Sequence, residues 1–171
     1  MLGMLGAIWG VGGISLLFGS ALFRLYPHAQ ELWDLPMEWV HWALLAANLV
    51  LFGYVKGYKV LHLRFAPRVA ARALYLKNNS TLPRILFAPL FCMGYFHAPR
   101  KRKIVSYCLT VVIIGLIILV RQLEQPWRGI IDAGVVFALG WGLVSIWIFA
   151  LKAFFGEGVD VSPETPEQGI S

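Results

Sequence analysis

Apolar, uncharged positions fall into four long runs, near residues 5–23, 38–55, 104–120 and 130–151. Each run approaches the ~20 residues that a helix rising ~1.5 Å per residue needs to cross ~30 Å of hydrocarbon. The pattern therefore predicts four transmembrane helices. No Lys or Arg precedes Arg24, so the first run reads as a permanent helix rather than a cleaved signal. The loop after it carries Glu31 and Asp34, and Trp33, Trp39 and Trp42 gather at the start of the second run. Indole rings favour the headgroup level, which makes this boundary an aromatic belt.

The polar positions between the second and third runs have a different character. Residues 56–103 contain 11 Lys and Arg and no Asp or Glu. The second helix is expected to continue past the membrane through Lys56, Lys59 and Leu63, with long side chains snorkelling to the interface. From Pro67 onward, Arg68, Arg72 and Tyr75 alternate with Val69, Ala73 and Leu76 at helical spacing. That spacing predicts a short amphipathic helix lying on the membrane, its arginines toward headgroups. Asn78, Asn79, Ser80 and Thr81 break it, and Thr81 is placed to cap the next helix. Residues 85–96 are uncharged but too short to cross, and Pro89 and Gly94 argue against one straight helix; the stretch fits an interfacial or a re-entrant piece. Arg100, Lys101, Arg102 and Lys103 then close the segment.

The implied fold class is an all-α integral membrane protein. One four-helix domain covers residues 1–155, with a basic cytoplasmic interfacial or re-entrant segment over 56–103, and residues 156–171 form a disordered acidic tail. Composition agrees: 58% of residues are hydrophobic and 14% charged, against ~25% charged in soluble domains. The net charge of +6 does not point to nucleic acid, because the cations sit beside the apolar runs. Twelve of the 15 Lys and Arg fall on one proposed side and three (Arg24, Arg121, Arg128) on the other. Cations stay cytoplasmic, so both chain ends are expected inside a bacterial-type inner membrane.

Small and polar positions suggest how the helices meet. Gly6 and Gly10 make a GxxxG, and Gly134, Ala138 and Gly142 recur every four residues. Such stripes let backbones approach closely enough for dispersion to act, and Asn48 in the second run seeks a partner on another helix. Cys92 and Cys108 make no CxxC and read as packing residues.

Candidate chemistry is sparse. No Lys, Arg, Asp or Glu lies within the four runs beyond their edges, which argues against proton-coupled export. Glu38 and His41 share a helix face, and Asp132 begins the fourth run on the same side. These are the candidate residues for an outer metal or proton site, with His28 and Asp34 nearby. His62 and His97 are the histidines placed to pair at the inner surface, and no cofactor is expected. The basic segment lacks the acidic half of a metal-dependent lipid enzyme. The sequence thus suggests a non-catalytic accessory or scaffold subunit that meets anionic phospholipids and other membrane subunits or a second copy. Candidate contact residues are Arg68, Arg72, Arg84, Arg100, Lys101, Arg102 and Lys103. The alternative is a lipid- or small-molecule-handling protein, with Arg84 and residues 100–103 holding a phosphate while 85–96 dips into the leaflet.

Overall fold

A computed structural model describes residues 2–79, 81–95, 98–156, 161 and 163, residue 102 by its backbone alone. Of the described residues, 88% are helical, and no strand occurs among them. Helix α1 is Leu2–Gln30 and ends in a 3-10 turn, Glu31–Asp34. Helix α2 runs unbroken over Trp39–Asn78, 40 residues. Two short helices come next, α3 (Leu82–Leu86) and α4 (Ala88–Met93), then α5 (Arg100–Arg121) and α6 (Trp127–Phe155). Among the described residues, four helices are long and apolar enough to span a membrane: α1, α2, α5 and α6.

Helix α2 departs most from expectation. No break occurs at Pro67: Phe65 (φ −84°, ψ −54°) and Ala66 (φ −59°, ψ −44°) stay helical into it. Proline inside a helix clashes with the carbonyl four residues back and lacks an N–H. Here the preceding residues Phe52–Phe65 form a π-helix, whose wider i→i+5 turn carries that carbonyl out of the way. The chain leaves the helix only at Asn79 (φ −126°, ψ 61°). Thr81 makes no side-chain cap bond to α3.

The inner half of α2 does not lie apart from the bundle on a surface. Ala66, Val69, Ala73 and Leu76 are buried with Ala7, Val11 and Ile14 of α1, Ala88, Phe91 and Cys92 of α4, and Ile146 and Ala150 of α6. The face bearing Val69, Ala73 and Leu76 turned inward because α1 offers small residues opposite it. A Cβ on Gly3 would strike the Lys77 carbonyl, one on Gly6 would meet Ile85 and Leu76, and one on Gly13 would strike Pro89. Gly10 likewise faces Cys92. Residues 85–95 are therefore wedged against α1 as α3 and α4, and α4 stops at Gly94, whose φ of 86° favours glycine.

These contacts fix the vertical register. Gly3 of α1 lies beside Lys77, Phe18 stacks on Phe65 with ring centroids 5.9 Å apart, and Leu32 joins Leu45 and Ile130 in a second cluster at the far end. Along α6, Asn48 Nδ2 donates to the Ile130 carbonyl at 2.6 Å and presses on Gly134. Gly57 meets Ala138 and Trp141, and Leu61 covers Gly142. Helix α5 stands almost free: 6% of its most apolar stretch is buried, against 33% for α6.

The register gives a direct test. Gly142→Leu should destabilise the bundle by roughly 1–3 kcal/mol through overpacking against Leu61. Gly140→Leu on the same helix, where an added Cβ meets nothing within 4 Å, should not. Denaturant titration in micelles compares the two; equal effects would refute the packing of α2 on α6.

Candidate functional site

Four polar features arise from this packing. The first is a row of cations on α2. Lys56, Lys59 and Arg64 are exposed, yet their neighbours Gly57, Leu61 and Phe65 touch Trp141, Gly142 and Phe18. Those three lie well inside the apolar runs of α6 and α1. The row therefore sits at mid-height between apolar helices rather than beyond their ends, which corrects the expectation that the chain has left the bundle by Lys56. Lys59 Nζ lies 5.0 Å from the Tyr54 ring centroid, a cation–π approach. Tyr54, Tyr58 and His62 stack in a ladder with centroids 6.2 and 5.5 Å apart.

His62 is the second feature. Its Nδ1 lies 2.9 Å from Ser145 Oγ, and Ser145 Oγ lies 2.8 Å from the Trp141 carbonyl. A hydroxyl has one proton, and the carbonyl takes it, so Ser145 accepts from His62. The imidazole is then protonated on Nδ1, and its ring meets that of Phe149 at a steep angle, with centroids 5.3 Å apart. His97, the proposed partner of His62, lies outside the described residues.

The third feature is Arg72. It is 2% exposed and donates to the Phe91 carbonyl at 2.7 Å, with its guanidinium 5.2 Å from the Phe91 ring centroid. This removes Arg72 from the residues facing headgroups. Spacing carried the signal: Arg72 shares a helical face with Val69, Ala73 and Leu76, and that face turned inward. Burial pushes the neighbouring Cys92 thiol up to about 12, against the pull of Arg72, so the thiol is inert. Of the other predicted contact residues, Arg100 and Lys101 are exposed and Lys103 is half-buried. Arg68 is half-buried as well, and Arg84 lies 5.7 Å from the Tyr75 ring centroid. The Arg102 side chain lies outside the described residues.

The fourth feature is a polar network at the far end of the bundle, where α1, α2 and α6 converge. Arg128 donates to His28 Nε2 at 2.7 Å, and Gln125 Nε2 donates to Glu31 at 2.7 Å. Gln125 Oε1 accepts from the Gly129 N–H, which ties the turn before α6 to its first residues. Asp132, 4% exposed, sits 3.7 Å from Arg128 Nε, an ion pair longer than a hydrogen bond. Asp132 Oδ2, Arg128 Nε and His41 Nδ1 are buried without a hydrogen-bond partner.

The candidate trio Glu38, His41 and Asp132 is not assembled into a ligand set. His41 packs its ring at a steep angle against Trp127 with centroids 5.5 Å apart, Asp132 turns to Arg128, and Glu38 is exposed ahead of α2. Among the described residues, no three His, Cys, Asp or Glu side chains stand close enough to hold a metal ion. Sequence reasoning set His28 near this site but missed Gln125 and Arg128, which are distant from it in the chain and meet it only through the α1–α6 packing.

Comparison with known proteins adds no family: no family model, no curated protein and no solved structure matches the chain. The reading of function rests on the geometry.

The far-end network predicts an asymmetry. Arg128→Met leaves the buried Asp132 carboxylate without its partner and should cost roughly 3 kcal/mol of stability. Adding Asp132→Asn should recover a large part of that loss. Denaturant titration of the single and double variants measures it, and a double variant as unstable as the summed singles would disprove the pairing.

Proposed function

We propose that this chain is a multi-pass protein of the inner (plasma) membrane, serving as a non-catalytic accessory or scaffold subunit of a larger membrane assembly. One observation carries the reading: Lys56, Lys59 and Arg64 are exposed on α2 beside the apolar middles of α1 and α6. A cation at the centre of a spanning helix costs about 2.5–3.5 kcal/mol on insertion scales, so such residues face partners or water rather than lipid tails. A second copy would bring the same cations against these. The complementary surface belongs to a different subunit, one that brings carboxylates at matching depth.

We infer the orientation from the cations left at the two ends of the bundle. With Lys56, Lys59, Arg64, Arg68 and Arg72 set at mid-height, seven cations remain at the α2–α3 end (Lys77, Arg84, Arg100, Lys101, Arg102, Lys103, Lys152). Three remain at the other (Arg24, Arg121, Arg128). The majority end is cytoplasmic, and its exposed Arg100 and Lys101 meet anionic headgroups.

A second reading, lipid handling, is favoured by an open apolar groove of about 570 Å³ lined by Ala46, Ala47, Val50, Leu51, Tyr54 and Val55, which offers an acyl chain a seat on α2.

Purification from native membranes separates the readings. Replacing Lys56, Lys59 and Arg64 together by leucine should abolish co-migration with other proteins while the isolated chain keeps its thermal stability. Unchanged co-migration would refute the subunit reading. Loss of bound anionic lipid in native mass spectra, with no protein partner in the wild type, would establish the second instead.

A further inference from the structure

The polar network at the far end of the bundle holds Arg128 between two seats. Arginine only donates, so the 2.7 Å contact from Arg128 Nη2 to His28 Nε2 requires a lone pair on that ring nitrogen. His28 is then a neutral imidazole with its proton on Nδ1, which lies 3.8 Å from Glu31 Oε1, beyond hydrogen-bond length. On its other side Arg128 presents Nε to Asp132 Oδ2 at 3.7 Å, also too far for a bond. Both of those atoms are buried and unbonded, and Asp132 is 4% exposed. A buried donor and a buried acceptor left unmade beside each other are costly. The bond to His28 is what keeps them apart.

The His28 side chain is 30% exposed, which admits a proton from water. A second proton can go only to Nε2, where it takes the lone pair that Arg128 uses. Two cations would then stand in contact, and the guanidinium has to leave. Asp132 is the seat within reach, and a small rotation lets Nε and Nη2 donate to its carboxylate together, the geometry of strong arginine–carboxylate pairs. The imidazolium keeps its Nδ1–H toward Glu31 and gains a charge-assisted partner there. One bond between α1 and α6 is thereby exchanged for two pairs, each within its own helix end. The other charges nearby are Arg24 one turn back on α1, Asp34 closing the 3-10 turn, and the exposed Glu38 and Glu124. From α2 comes His41, which packs on Trp127 next to Arg128.

We propose that His28 is a proton-binding site that switches Arg128 from α1 to Asp132, loosening the join of α1 to α6 when the medium at that end turns acidic. Gln125, which donates to Glu31 and to the His28 carbonyl, carries no titrating group and keeps the two helix ends from parting altogether. The switch goes beyond the proposed function and does not depend on it.

Solid-state NMR of the full-length protein in lipid bilayers, with isotope-labelled histidine, arginine and aspartate, tests it. The His28 signal is identified by its loss in His28→Gln. At about pH 8, above the range in which imidazoles charge, it should show Nδ1 protonated, Nε2 bare and a through-space correlation from Nε2 to a guanidinium. At about pH 5 both ring nitrogens should carry protons, that correlation should vanish, and one from Arg128 Nε to the Asp132 carboxyl carbon should strengthen with the same half-point. His28→Gln offers Arg128 an acceptor that never charges, so its guanidinium should stay in place across the range. Asp132→Asn takes the charge from the second seat, and the His28 half-point should fall by about one pH unit, a tenfold loss of proton affinity. A proton on Nε2 of the neutral ring overturns the proposal, and so does a His28–Arg128 correlation that survives charging of the ring. An Arg128 movement that persists in His28→Gln would make a carboxyl the titrating group and overturns it too, as does a half-point indifferent to Asp132→Asn.

Discussion

Close approach between the small-residue face of α1 and the inner half of α2 with α3 and α4 sets everything else in the bundle. Gly3, Gly6, Gly10 and Gly13 leave no side chain in the way, so Leu76, Ile85, Cys92 and Pro89 come directly against the α1 backbone. Apolar helices gain nothing from hiding from lipid tails, and dispersion across such a contact is what holds them. The consequence is a register in which Lys77, not Lys56, marks the level where α1 begins. Cations that would stand outside the bundle in any other register then lie along its height.

Asn48, Arg72 and His62, packed inside the bundle, follow one rule, which is that each finds a backbone carbonyl or a hydroxyl. Asn48 donates to Ile130, Arg72 to Phe91, and His62 to Ser145, which donates in turn to Trp141. Unsatisfied polar groups are costly away from water, so these bonds reinforce the register that the glycines establish. The far-end network departs from the rule. Asp132, Arg128 and His41 keep buried atoms unbonded, and the cost of that arrangement falls where α1, α2 and α6 converge.

Much of this was legible in the sequence because helix length and apolar run length are local quantities. Four runs of seventeen or more apolar residues forecast four long helices, and Pro89 and Gly94 forecast the break-up of 85–96. Register was not legible, since it depends on which glycine meets which bulky side chain on another helix. The π-helical stretch Phe52–Phe65 hid the fate of Pro67, because a proline is forgiven when the preceding turn is wide. Arg72 misled for a different reason: its charge suggested solvent while its spacing with Val69, Ala73 and Leu76 suggested burial, and the carbonyl of Phe91 decided in favour of spacing.

The decisive measurement is a pair of engineered cross-links from one anchor, Phe18→Cys on α1, in native membranes. The ring of Phe18 stacks on that of Phe65, 5.9 Å between centroids, so oxidation should join position 18 to Phe65→Cys. If α2 instead left the bilayer near Lys56, antiparallel matching of the two apolar runs would bring position 18 opposite Leu44→Cys. A strong 18–65 link without an 18–44 link establishes the mid-height cations; the reverse pattern would contradict them and the assembly surface built on them.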